Sequence, residues 1–205
     1  MKYDPARHRR RSIRLDGFDY TTPGPYFLTI CTNGREPILD DPTNREIVYY
    51  AWLDLRNKFL HVDLDAFTIM PNHIHGIVIL GEPPHSVGAG VRSSQLPNQR
   101  PALTPARLRS AANRYGLPAI VRQFKNRSAR RINGRLGLSG TSVWQRNYWE
   151  HIVRCDKSFQ RIRDYILNNP ICGDLDGALD AAAAMGDEAM WTWLEENHRV
   201  VQGRS

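Results

Sequence analysis

At 205 residues, 41% apolar and with a mean hydropathy of -0.51, the chain has room for one full domain with extensions but not for two large ones. No apolar run approaches the ~18 residues of a membrane helix, and the basic opening MKYDPARHRRRSIRL lacks the apolar core of a secretory signal, so a cytoplasmic protein with no membrane partner is expected. A formal charge of +7 and a pI near 9.6 point to a polyanionic partner.

In chain order, residues 1–20 read as a basic arm, with Arg9, Arg10 and Arg11 as a phosphate-binding run. After the turn signal Thr-Pro-Gly-Pro, YFLTICT (Tyr26–Thr32) carries the β-branched and aromatic residues of a strand. Asp41-Pro42 supplies a cap and a first-turn proline, and Val48, Trp52, Leu55 and Phe59 recur at helical spacing. HVDLDAFTIM alternates at Val62, Leu64 and Ala66, then shifts parity at Phe67 and Ile69, which predicts a strand with a bulge. Pro71-Asn72 makes a turn into HIHGIVIL (His73–Leu80), an antiparallel partner for that strand.

Residues 81–116 lack periodicity over most of their length and read as a flexible basic loop. Leu117, Ile120, Val121, Phe124 and Ile132 form one helical stripe, with Arg122, Lys125 and Arg130 opposite and Arg127 and Arg131 near its edges. VWQRNYWEHIVR (Val143–Arg154) ends in a strand, and Asp156 caps a helix that runs to Asn169 before Pro170. Residues 171–205 read as an acidic tail with a helical Trp-containing patch. Cys31, Cys155 and Cys172 match neither a disulfide framework nor a zinc spacing and are expected to be buried thiols. The order β-α-β-β-α-β-α makes the chain α+β, a ferredoxin-like antiparallel sheet (β-α-β-β-α-β) with one appended helix. The main domain spans 21–170.

Charge is segregated. Between Glu82 and Glu150 there is no acidic residue, while twelve Lys/Arg occur there. That pattern favours contacts with a phosphate backbone, for which Arg122, Lys125, Arg127, Arg130, Arg131 and Arg146 are the candidates. Trp144, Tyr148 and Trp149 are interleaved with Arg146, and aromatic faces stack unpaired bases. Trp149 is assigned to the interior and Trp144 to a base contact.

Two constellations carry chemistry. Side chains alternate along a strand, so His73 and His75 point to one face and Ile74 to the other, and two neutral imidazoles can share a cation. Two histidines so spaced are also common in ordinary strands. On the last helix, a spacing of four puts Tyr165 and Asn169 on one face, while Phe159, Ile162 and Ile166 supply the buried stripe. Tyr165 can equally be an edge-packing tyrosine, and Asn169 a helix terminator.

The strings MPNHIHGIVIL, VWQRNYWEHIVR and DYILNNP, in this order with a basic helix between the first two, resemble the REP-associated tyrosine transposases, single-strand transposases of the His-hydrophobe-His class. The similarity spans roughly Arg10 to Pro170. It implies that His73 and His75 are metal ligands, that Tyr165 is the nucleophile and that Asn169 is a third, polar ligand. It also implies Mg²⁺ or Mn²⁺ as cofactor, and DNA hairpins beside single-stranded DNA as partners. The activity implied is metal-dependent endonuclease and strand transfer on single-stranded DNA through a 5′-phosphotyrosine. Two other readings stand beside it: a non-catalytic hairpin-binding protein that keeps the fold, and a metal-dependent hydrolase of small phosphoesters. The segment ICGDLDG after Pro170 departs from the family's pattern, and the acidic tail has no counterpart in it.

Overall fold

The computed structural model describes residues 17–82 and 114–168. Four strands, β1 (Gly24–Cys31), β2 (Val62–Met70), β3 (His73–Leu80) and β4 (Trp149–Ile152), form one antiparallel sheet in the order β2-β3-β1-β4. Helices α1 (Pro42–Lys58), α2 (Leu117–Leu136) and α3 (Asp156–Asn168) complete the chain order β-α-β-β-α-β-α. This is the α+β, ferredoxin-like arrangement that periodicity predicts. The basic arm Arg9–Arg11, the segment 83–113, Asn169 and the acidic tail lie outside the described residues.

Local signals act where they were read. Asp41 accepts from the Asn44 N–H at 3.0 Å, capping α1 with Pro42 at its first turn. The β2–β3 register shifts between Leu64 and Phe67, where the alternation changes parity. Bounds differ modestly. The first strand begins at Gly24, and α2 runs on to Leu136, where Gly137 takes a left-handed φ of 66° and its N–H bonds to the Asn133 carbonyl. Asp156 is the first residue of α3 rather than its cap, and the Phe159 N–H returns to the Cys155 carbonyl. A short 3-10 turn, Asn33–Arg35, follows β1, with Gly34 at a left-handed φ of 63°.

The two sheet faces carry different cores. On one, α1 and α2 pack over Leu28, Ile30, Ile74, Val78 and Leu80. Gly76 sits on this face. A Cβ there would lie 2.5 Å from Trp52 Cζ2 and 3.1 Å from Phe67 Cδ2, so only glycine lets the Trp52 ring rest against β3, stacked on Phe67 at 4.6 Å. On the other face, α3 presses Ile162 and Ile166 onto Phe27, Ile77, Ala66 and Val153. Burying side chains of this size stabilises by about 1.5–3 kcal/mol each. Arg163 Nε donates to Asp65 Oδ1 at 2.9 Å, tying α3 to β2.

Cys31 is half-buried and Cys155 exposed, contrary to the burial expected of them. Cys31 is the last residue of β1, and Cys155 precedes α3 in a bend. Among the described residues, no helix is long and apolar enough to cross a membrane.

Candidate functional site

Register builds the site on the α3 face. Cys31 pairs with His73 and Thr29 with His75, while Thr68 and Met70 of β2 flank the histidines from the other side. Both imidazoles point to this face and Ile74 to the opposite core, as strand alternation requires. His73 is 2% exposed and His75 0%. From α3, the Tyr165 ring meets His75 at 5.4 Å between centroids, and its hydroxyl stands 3.5 Å from His75 Nε2. That distance is a near approach, at the limit of a hydrogen bond. Phe27 lies beneath both, 5.5 Å from the His75 ring and 6.2 Å from the Tyr165 ring.

The two Nε2 atoms are 3.1 Å apart. Each ring is held from behind: His73 Nδ1 lies 2.6 Å from Asn72 Oδ1, and His75 Nδ1 lies 2.9 Å from Thr29 Oγ1. Without a cation, one consistent proton arrangement has His73 Nδ1–H donating to Asn72. His75 Nε2–H then donates to His73 Nε2, and His75 Nδ1 accepts from the Thr29 hydroxyl. Moving the His75 proton to Nδ1, with Thr29 accepting instead, frees both Nε2 lone pairs toward one point. A hydroxyl serves either state, because it donates or accepts by rotation.

This donor set fits a divalent cation. Adjacent donors on an octahedral ion with ~2.1 Å bonds are about 3.0 Å apart, close to the separation of the Nε2 atoms. Outward Nδ1–H donors are the usual orienting partners of ligating imidazoles. Among the described residues, no His, Cys, Asp or Glu side chain joins the pair to make a cluster of three that could hold a metal ion. Asn169, the expected third ligand, lies outside the described residues. Thr29 and Asn72 are site residues that motif reading missed. Their only sequence signals are positional: one is a strand residue two before Cys31, the other the turn residue before His73.

The basic surface is less uniform than its composition suggests. Arg122, Arg130, Arg131 and Arg146 are exposed. Arg122, Arg146, Asn126 and Gln145 line a cleft of about 540 Å³ between α2 and the segment 141–148, with Lys125, Trp144 and Tyr148 in its wall. Lys125 does not present its charge as the helical stripe suggested. Its ammonium donates to the carbonyls of Gln145 at 2.9 Å and Asn147 at 2.7 Å, clamping this segment, and burial pushes its pKa down to about 8. Arg127 pairs with Asp54 of α1 at 2.7 Å. The charge of Arg127 is thus partly matched within the protein.

The burial of Trp144 corrects one tryptophan assignment, and Trp149 meets the other only in part. Trp144, expected to meet a base, is 4% exposed and donates its indole N–H to Ser128 Oγ at 2.9 Å. Its isolated bridge to Thr32 turns it toward Phe124, whose ring lies 5.5 Å away. Trp149, expected inside, is half-buried on the same face as the histidines. Pairing with Thr29 fixes that face.

No family model matches the chain. A Haemophilus influenzae protein described as "Putative REP-associated tyrosine transposase" is 32% identical over 155 residues, covering 75% of this chain and 73% of that one. An uncharacterized protein from the same organism is 35% identical over 188 residues, covering 85% and 96% respectively. A solved REP-associated tyrosine transposase bound to a REP hairpin shares 22% identity at a TM-score of 0.45, covering 77% of this chain and 73% of that one. That structural likeness is too distant to bear on function.

Proposed function

This chain belongs to the family of REP-associated tyrosine transposases, and from that premise we propose that it cuts and rejoins single-stranded DNA beside hairpins. Tyr165 is the nucleophile, and His73, His75 and Asn169 hold Mg²⁺ or Mn²⁺. The observation that carries the reading is the convergence of the Tyr165 hydroxyl and two back-anchored imidazole Nε2 atoms on one sheet face.

In the proposed reaction, Tyr165 Oη attacks phosphorus and the P–O3′ bond breaks. The phenol loses its proton to solvent, the departing 3′ oxygen takes one up, and the 5′ phosphate stays on the tyrosine. One phosphodiester replaces another, so a second 3′-hydroxyl can reverse the step without a nucleotide cofactor. A free phenol ionises near pH 10, so the site has to favour the attacking oxygen. A bound cation supplies charge stabilisation at the non-bridging oxygens of the phosphate. Thr29 and Asn72 keep the imidazole nitrogens directed, and the Arg163–Asp65 pair with the Ile162 and Ile166 contacts holds α3 and its tyrosine in register. Arg122, Arg130, Arg131 and Arg146 provide phosphate contacts along the DNA.

The test is a hairpin oligonucleotide with a single-stranded extension, drawn from inverted repeats beside the coding region and labelled at its 3′ end. With Mn²⁺, the native protein should retain the label covalently and Tyr165→Phe should not. An adduct that persists in Tyr165→Phe would remove the residue from its role. Hairpin binding that survives EDTA, with no adduct on any strand, would favour the non-catalytic binding protein instead.

A further inference from the structure

We propose that Trp149 and His151, on the edge strand β4, form a stacking platform for an unpaired nucleobase next to the reacting phosphate. Trp149 pairs with Thr29 and His151 with Phe27, which places both side chains on the face that carries His73, His75 and Tyr165. Their rings lie 6.1 Å apart and nearly parallel, at 9°. Phe27 supports Trp149 edge-on at 5.3 Å, and the same Phe27 ring contacts Tyr165 at 6.2 Å. A continuous row of rings therefore leads from the candidate nucleophile to β4, the edge strand of the sheet among the described residues.

Both platform residues are half-buried, so each offers part of its surface while its base is fixed by packing. The buried core on this face is Phe27, Ile77, Ile162 and Ile166, and Trp149 packs on its rim while remaining only half-buried. Two flat rings held parallel at a sheet edge suit a ligand with a flat face, and successive nucleobases are such a ligand. The strand continues directly from the segment that lines the Arg122–Arg146 cleft, so phosphates held there lead to bases at the platform. Stacking of this kind tolerates any base, which separates it from sequence readout and from the hairpin duplex.

This inference rests on the single-strand reading above, and its test can fail separately. The probe is a 16-residue oligothymidylate, titrated into the full-length protein in EDTA and followed by anisotropy. Trp149→Leu, which keeps apolar cover for Phe27, should weaken binding about 5- to 150-fold, the loss of one base stack. Trp149→Phe should restore most of it, and a blunt hairpin without an unpaired extension should bind all three proteins alike. Equal oligothymidylate affinity for the native protein and Trp149→Leu overturns the platform. So does weakening that Trp149→Phe fails to rescue while its melting temperature matches the native protein's. Should no strand be cleaved by any form yet these affinities behave as stated, the transposase chemistry fails and the platform stands.

Discussion

Thr29→Val isolates the device that sets the His75 tautomer. Valine preserves the volume of threonine on a buried strand position, but its methyl can neither donate to nor accept from His75 Nδ1, which lies 2.9 Å from the Thr29 hydroxyl oxygen. Without metal, His75 can keep its proton on Nε2, directed at His73, and loses only a donor to Nδ1. With metal, the proton is forced onto Nδ1 and left unpaired inside the protein, at a cost of about 1–3 kcal/mol. Only the loaded state carries that full cost, so cation affinity should fall roughly 10- to 100-fold, the range found for such outer partners. Mn²⁺ titration followed by electron paramagnetic resonance reads the affinity directly, and thermal melting in EDTA checks that the fold is unaffected. An unchanged Mn²⁺ affinity in a well-folded Thr29→Val protein refutes the orienting role of Thr29.

Gly76→Ala places a methyl 2.5 Å from Trp52, so α1 or β3 must shift. Overpacking of this kind costs about 1–3 kcal/mol, and at roughly 2–4 °C per kcal/mol for a chain this long melting should fall by several degrees; an unchanged Tm would contradict the close approach. Lys125 has a folded pKa near 8 against 10.5 in a free chain, so between those values the unfolded state binds more protons and stability should rise with pH. Urea midpoints should show the native protein gaining on Lys125→Met from pH 8 to 10.5, whereas a loss over that interval would mean that donation to the Gln145 and Asn147 carbonyls outweighs burial. Removing two phosphate contacts with the Arg122→Ala, Arg146→Ala double variant should flatten the slope of log affinity against log salt by about 1.8 on duplex hairpin DNA. An unaltered slope would take the cleft away from the DNA path.

Elements with a long, clean period were legible in advance. The 3.6-residue stripe of Leu117 to Ile132 and the alternation through His73 to Leu80 each bury one defined set of side chains, and even the β2 bulge showed as a parity change at Phe67. Strand alternation fixed the shared facing of His73 and His75, but a role for them and for Tyr165 came from the resemblance of three motifs in order, since spacing alone left Tyr165 equally an edge-packing residue. The two tryptophans were not legible. β4 has only four residues, too few for its alternation to declare a buried face, and its register with β1 decides that Trp149 meets Phe27, while Trp144, outside that strand, bridges Thr32 and turns to Ser128. Lys125 lies opposite the apolar stripe on the helix, but a later segment folds across it and supplies two carbonyl acceptors. Thr29 and Asn72 escaped for the same reason, since their partnership with the imidazoles depends on pairing and turn geometry between separate segments.

The most direct measurement is peptide mass spectrometry on the native protein after reaction with Mn²⁺ and the hairpin strand, followed by nuclease trimming. A nucleotide joined through its 5′ phosphate to the peptide that contains Tyr165 is the predicted product. The same mass increment on a different residue, or a cut strand with no protein-linked nucleotide at all, would contradict the account.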